Sequence, residues 1–314
     1  MPKVKALYVY PVKSLKGISL TTADVSPIGF TWDRHWLITR PDGRFLTQRQ
    51  IPRMTLISTA LPPEALTKEW SKLGPDASLT LTAPGMEPLQ VPLVPRPVAD
   101  AELKECTCWD WKGLAQDEGE DAAAWLTNFL GKPVRLVRYV GTPQPNGAEA
   151  DPKRRECELP FGKGIETAFA DGYPFLIATE SSLADLNNRM PEPLPMDRFR
   201  PNLVIDDSVE PWAEDDWHAL SIVGPPDRKV EFLSVKPCSR CKVTTTDQET
   251  GAVGREPLMT LGKFRSGKQL GWSALASWKH EVFFGWNLAA TAPGTVAVGD
   301  DIIVTRKRTT ALAA

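Results

Sequence analysis

The sequence lacks a dense set of cysteines, an excess of either charge, paired histidines and any long unbroken apolar run, and each absence removes a class of protein. Five cysteines in 314 residues are too few and too odd in number for the disulfide framework of a small secreted domain, so a reducing compartment is expected. Lys and Arg number 37 against 39 Asp and Glu, a net charge of −2. No global positive field therefore recruits a nucleic-acid polymer or an anionic membrane, and any anion site must be a local cluster. The longest uncharged stretch, 282–299, is interrupted by Asn287, Pro293 and several glycines and threonines, so no membrane span is expected. The start, Met1-Pro2-Lys3-Val4, carries neither the apolar core of a signal peptide nor an Arg-rich amphipathic presequence, from which a cytoplasmic location is expected, with mitochondrial as the alternative.

What is present is 42% hydrophobic residues, 24% charged residues and 29 prolines, enough to bury two cores. The turn signals predict hairpins: 33–40 with 44–48 across Pro41-Asp42-Gly43, 78–83 with 89–93 across Pro84-Gly85, and 295–298 with 302–304 across Gly299-Asp300. An opening strand is predicted over 4–10. Three helices are predicted, over 122–130 with Trp125, Leu126, Phe129 and Leu130 on one face, over 181–190 burying Leu183 and Leu186, and from Pro257 to Phe264. The fold class is therefore α+β and mainly β, with two β-rich lobes and few helices. The stretch 141–164 is rich in Pro, Gly and charge and includes Lys153-Arg154-Arg155, which marks it as linker-like. The tail after Arg306 reads as frayed.

The densest chemistry lies in Lys236-Pro237-Cys238-Ser239-Arg240-Cys241-Lys242, two thiols among three cations directly after an apolar run, 230–235. Nearby cations favour the thiolate, the form that attacks and that ligates metals. Four explanations stand side by side. A thioredoxin-like dithiol needs a helix N-terminus at its first cysteine, whereas 242–246 is β-branched and reads as strand or loop. Structural zinc needs two further ligands, and His35, His218 and His280 are not spaced for it. The pair can simply pack, as free cysteines do, or one thiolate can ligate a redox metal. Residues 262–269 nearly spell a phosphate-binding loop, but Gln269 stands where a hydroxyl is needed and no strand precedes it, so chance explains the match. Lys13-Ser14, Arg34 and Arg200-Pro201-Asn202 sit beside turns, where side chain and backbone can converge on a phosphate.

Read in order, Tyr10-Pro11-Val12-Lys13-Ser14-Leu15-Lys16-Gly17, Asp33-Arg34-His35-Trp36-Leu37, Pro174-Phe175-Leu176-Ile177 with 182–187, Phe199-Arg200-Pro201-Asn202, and Cys238-Ser239-Arg240-Cys241 followed by Thr245, Asp247, Thr250 and Gly251 resemble the MOSC family. The likeness is to its two-part members with an N-terminal β-barrel domain, the group of the mitochondrial amidoxime-reducing component, in wording nearest to plant or algal members. The resemblance implies a barrel domain over 1–140, a linker-like 141–164, a MOSC domain over 165–305 and a frayed tail over 306–314, with a cofactor between the lobes. It implies a molybdenum cofactor, a pterin-bound metal, ligated by Cys241 and not by Cys238. By the same matching, Lys13, Ser14, Arg34, Arg200, Asn202, Ser239 and Arg240 hold the pterin and its phosphate, with Asp171 and Tyr173 beside the site; Tyr173 replaces a smaller residue, which implies contact through its backbone. The implied activity is reduction of N-hydroxylated compounds: amidoximes, hydroxylamines and N-hydroxylated nucleobases. No cysteine follows Cys241, so the electrons are expected from a separate donor, which the family suggests is cytochrome b5 with its NADH-dependent reductase. The rival is a protein that carries the cofactor or sulfur without turnover; the sulfurases of this family carry a pyridoxal-phosphate domain, for which this chain has no room. A third, a nucleotide-binding module using 262–269, would bind ATP and no molybdenum.

Overall fold

The computed structural model describes residues 1–95, 103–141, 155–157, 159–272 and 274–308. Its largest sheet has eight strands in the spatial order Asp301–Lys307, Trp217–Gly224, Arg228–Ser239, Phe283–Ala290, Phe175–Thr179, Leu203–Ile205, Val4–Val9 and Ile18–Leu20. Burial alternates along Arg228–Ser239, where Val230, Phe232, Ser234 and Lys236 are buried. That period of two is what one face against a core requires. The core on this face is aromatic: Phe175 meets Phe30 at 5.1 Å and Phe232 at 5.4 Å, edge to face, the arrangement ring quadrupoles favour. Neighbours in the sheet are antiparallel except Phe175–Thr179 and Leu203–Ile205. Parallel strands need a crossover, and the helix Glu180–Asn187 lies in it. The Thr179 hydroxyl caps that helix by accepting from the Ser182 amide.

Residues 1–30 thus lie in the sheets of the second half of the chain: Val4, Leu7, Leu20, Val25 and Phe30 share a core with Trp217, Phe232 and Trp286. Two further sheets surround a second core of Trp32, Trp36, Met54, Leu79, Leu126 and Phe129. One joins Trp36–Thr39, Arg135–Tyr139, Trp111–Asp117 and Leu103–Cys108; the other joins Ser58–Ala60, Ser78–Thr82 and Leu89–Pro92. The helix Glu120–Leu130 starts on two acidic residues, which suit the helix dipole, and ends at Gly131 with φ +70°. The third helix spans Leu258–Phe264 after Pro257. The architecture is mainly β, as expected, and among the described residues no helix is long and apolar enough to cross a membrane.

Three expectations change. The 295–298 and 302–304 segments do not pair with each other: Gly294–Ala297 pairs with Thr22–Ser26, and Asp301–Lys307 with Trp217–Gly224. Gly299, at φ +91°, and Asp300 make a corner between two sheets, held by the Asp300 carboxylate, which accepts from the Ala297 amide at 2.8 Å and from Arg228 at 2.5 Å. Residues Lys242–Thr245 form a 3-10 turn, because hydrogen bonds back to the Cys241 carbonyl outweigh β-branched propensity. The strand predicted from 33 begins at Trp36, since Arg34 is left-handed at φ +48°; the hairpin it opens is kept by the Leu46 amide, which donates to the Ile38 carbonyl at 2.8 Å. The 78–83 and 89–93 hairpin forms as predicted. Lys153 and Arg154, with most of the linker-like segment, and 309–314 of the tail lie outside the described residues.

Candidate functional site

A cavity of about 1070 Å³ opens where the large sheet meets the 103–117 hairpin, the loop after Val9 and the loop that leads into Leu203. Every residue singled out from the sequence lines it: Lys13, Ser14, Arg34, Asp171, Tyr173, Arg200, Asn202, Ser239, Arg240 and Cys241. They come from segments as far apart in sequence as Lys13 and Cys241, and the pairing of the first strand, Val4–Val9, with Leu203–Ile205 helps to bring them together.

Strand Arg228–Ser239 delivers the thiols. It ends at Ser239, the Arg240 amide donates to the Val282 carbonyl at 2.8 Å, and Cys241 opens the 3-10 turn. Both the amide and the hydroxyl of Thr244 donate to the Cys241 carbonyl, at 3.0 and 2.9 Å. These bonds fix the backbone while the half-buried side chain lines the cavity. Cys238 also lines it, and its sulfur accepts from Arg240 Nη1 at 2.7 Å. Burial raises the Cys238 pKa, against the pull of Arg240. Burial likewise pushes Cys106 and Cys157 up to about 12, which keeps these thiols protonated and unreactive. Among the described residues no group of three or more His, Cys, Asp or Glu side chains could hold a metal ion by itself, so the zinc explanation of the pair finds no ligand set there.

Another part of the lining is a pair of guanidiniums stacked on Tyr10. The Tyr10 amide donates to Asp33 at 2.8 Å, its hydroxyl to the Pro201 carbonyl at 3.1 Å, and the guanidiniums of Arg34 and Arg200 each lie 4.3 Å from its ring centroid. A side chain at Gly17 would collide with this ring, which accounts for a glycine there. Arg34 pairs with Asp33 at 2.5 Å and reaches Asn202 Oδ1 at 3.0 Å. Asn202 also accepts from the Leu176 amide and donates to the Tyr8 carbonyl, bonds that fix the oxygen to which Arg34 donates. Ser14, Arg34 and Arg200 adopt left-handed backbone at φ +69°, +48° and +55°, at about 1–2 kcal/mol each for residues with a Cβ. Such strain persists where the surroundings impose it, commonly at functional sites.

Charge pairing separates these cations. Lys13 is buried and donates to Asp171 Oδ1 at 2.5 Å and to the Phe169 carbonyl at 2.7 Å. Although enclosure by the walls opposes ionisation, Lys13, Arg49 and Arg34 hold the Asp171 carboxyl well below the usual range, while 68% of its side chain stays open to the cavity. Among the described residues Arg200 makes no ion pair with a carboxylate: Nη1 makes one long contact to Gln248 at 3.5 Å and Nη2 finds no hydrogen-bond partner. Burial, with the neighbouring charge of Arg34, lowers its pKa to about 10, so it stays charged at neutral pH. Arg240 Nε is likewise buried without a partner. A buried, unpaired cation with idle donors is costly, and an anion of phosphate type in the cavity would use those donors.

Sequence reasoning missed part of this wall. Arg155, taken as part of a linker-like run, is 4% exposed and donates to the carbonyls of Ala168, Ala170 and Asp171, clamping the segment that carries Asp171. Arg49 and Trp109 also line the cavity, and nothing in the local sequence signals either. Ser239 is exposed, while the Tyr173 ring is 5% exposed in the wall.

Residues 1–133 match the MOSC N-terminal beta barrel domain and residues 165–303 the MOSC domain. Mitochondrial amidoxime-reducing component 1 of Mus musculus is 34% identical over 305 residues, covering 95% of this chain and 81% of that protein. The Homo sapiens component 1 is 34% identical with 95% and 82% covered, and the Bos taurus component 2 is 32% identical with the same coverage. These relatives are named as mitochondrial, which overturns the expectation of a cytoplasmic location drawn from the N-terminal residues. The chain belongs to the family of MOSC-domain proteins with an N-terminal MOSC β-barrel domain that includes the amidoxime-reducing components.

Proposed function

We propose that the cavity holds a molybdenum cofactor, with the Cys241 thiolate as the metal's protein ligand, and that the protein reduces N-hydroxylated compounds such as amidoximes and hydroxylamines. The observation that carries this is that one cavity is lined both by a backbone-fixed Cys241 and by Arg200, a buried cation whose Nη2 has no hydrogen-bond partner among the described residues. Thiolate suits a redox metal, and the idle guanidinium suits the phosphate of a pterin. When bound, the cofactor supplies a two-electron centre for cleaving the substrate N–O bond. Lys13, Ser14, Arg34, Arg200, Asn202, Ser239 and Arg240 would hold the organic part. Asp171, tied to Lys13 and ionised, accepts hydrogen bonds from an N–H donor of a substrate and orients it. Cleavage consumes two electrons and two protons and releases water, and the electrons come, in this proposal, from a separate protein of the cytochrome b5 type with its NADH-dependent reductase.

The test is molybdenum analysis of purified wild type and Cys241→Ser, with benzamidoxime reduction driven by a chemical donor, which makes the assay independent of the physiological partner. Wild type is expected to retain molybdenum and form benzamidine, and Cys241→Ser to do neither. Molybdenum retained by Cys241→Ser, or no turnover by a molybdenum-replete wild type, would sink the proposal.

A further inference from the structure

The cavity has a polar, cationic interior, but its lip is different. Leu103–Cys108 and Trp111–Asp117 pair with Cys108 opposite Trp111, so Trp109 and Asp110 form a two-residue tip. Trp109 takes φ +56°, a conformation for which such turns favour glycine or asparagine. A large β-branching-free aromatic is thus held where the turn chemistry asks for a small residue.

The indole does not serve a core. Its side chain joins none of the apolar clusters, whereas Trp111 two residues on does, and the residue is 40% exposed. It is nevertheless tightly oriented. Nε1 donates to Asp171 Oδ1 at 3.2 Å, the Arg49 guanidinium lies 4.3 Å from the ring centroid, and Phe45 packs at 5.2 Å. Exposed tryptophans are not ordinarily pinned on so many sides, because ordering them without burial gains little. The same cavity wall includes Leu159, 63% exposed, and the half-buried Leu275. Apolar side chains thus stand among the polar ones that line the cavity, and the hydrogen bond links the oriented indole to a carboxylate of the same lining.

We propose that Trp109 is a specificity-determining residue: its indole forms a flat apolar wall at the mouth that receives the aromatic or apolar body of a substrate whose N-hydroxylated end points inward. This rests on the function proposed above. It predicts that the protein favours substrates with a planar body over those that are only a head group, through binding and not through chemistry.

The experiment compares wild type, Trp109→Ala and Trp109→Phe on benzamidoxime and on N-methylhydroxylamine, with calorimetric titration of benzamidine as a readout that needs no turnover. Trp109→Ala is expected to raise KM for benzamidoxime about tenfold with kcat little changed, to lower the benzamidoxime to N-methylhydroxylamine ratio of kcat/KM by about the same factor, and to weaken benzamidine binding to match. Trp109→Phe, which keeps a flat ring and loses the N–H, is expected to stay within about threefold of wild type on that ratio. An unchanged ratio in Trp109→Ala, or an equal fall in Trp109→Ala and Trp109→Phe, overturns the proposal, since the first shows no preference and the second assigns the effect to the hydrogen bond. If wild type reduces neither substrate, the functional reading fails separately, and benzamidine binding unchanged by Trp109→Ala still overturns the role of the indole.

Discussion

Replacing Arg200 separates binding from folding, because this residue is expected to serve one and burden the other. The residue is 9% exposed, makes no ion pair with a carboxylate among the described residues and lies beside Arg34. A folded-state pKa lowered by burial to about 10 means that keeping the charge costs the fold on the order of a few kcal/mol. That cost is fully present at all pH values below the folded-state value. Arg200→Met removes the charge and keeps most of the aliphatic stem, but it also removes the stacking on Tyr10, worth about 1 kcal/mol. The cofactor-free protein is therefore expected to gain about 1–2 kcal/mol, seen as a melting temperature higher by roughly 2–3 °C. The same substitution deletes charge-assisted donors to the bound anion, worth about 1.5–3 kcal/mol, so molybdenum retained after gel filtration should fall at least about tenfold. Thermal unfolding of cofactor-free protein and metal analysis of loaded protein, on the same preparation, are the assays. A variant that melts lower without cofactor and keeps its molybdenum would refute the reasoning on both counts.

Glu214 is fully buried, accepts from Ser182 at 2.9 Å and Thr179 at 3.2 Å, and leaves Oε1 unbonded; burial, then the charge of Asp215, raises its pKa to about 7. An acid raised on folding binds more protons in the native state, so stability is full below about pH 4.5 and declines as pH rises toward and past 7. Glu214→Gln should therefore match wild type at pH 5 and exceed it by about 2–3 kcal/mol at pH 8, and parallel denaturation profiles across that range would disprove the assignment. Cys238→Ser should keep its molybdenum, since a serine hydroxyl can still accept from Arg240; metal analysis showing loss equal to Cys241→Ser would instead make the two thiols a joint site. Arg155→Ala strips a donor from each of three carbonyls, so stability should fall by about 2–4 kcal/mol, with amide exchange quickened in 168–171 first; unchanged exchange there would remove Arg155 from its positioning role.

Local chemistry was readable where it decides local structure. Gly131 after an acidic-started helix, and Pro84-Gly85 between alternating segments, each name one conformation, and the structure adopts it. Gly299-Asp300 has the same turn wording and fails as a hairpin because its flanking strands find partners at Thr22–Ser26 and Trp217–Gly224. Pairing across that distance is chosen by the fit of whole apolar faces, which no window around the turn records. The pairing of Val4–Val9 with Leu203–Ile205 is the same kind of information, and the cavity depends on it. Arg155 shows the limit from the other side: a basic residue in a polar run reads as solvated, and only the three carbonyls folded around it reveal that it is interior.

The site residues were legible as residue types before any geometry was known, but not their division of labour. Lys13, Arg34 and Arg200 look equivalent as cations beside turns. In the fold Lys13 is matched by Asp171, Arg34 by Asp33 and Asn202, and Arg200 by no ion pair among the described residues. Only the last carries an unbalanced charge into the cavity, so the three should not contribute equally to holding an anion. The backbone strain at Ser14, Arg34 and Arg200 points the same way. Turns whose purpose was only to change direction would place glycine at a positive φ and avoid the cost. Keeping a hydroxyl and two guanidiniums there gives up stability for placement, and placement has value only if something enters the cavity to meet those donors.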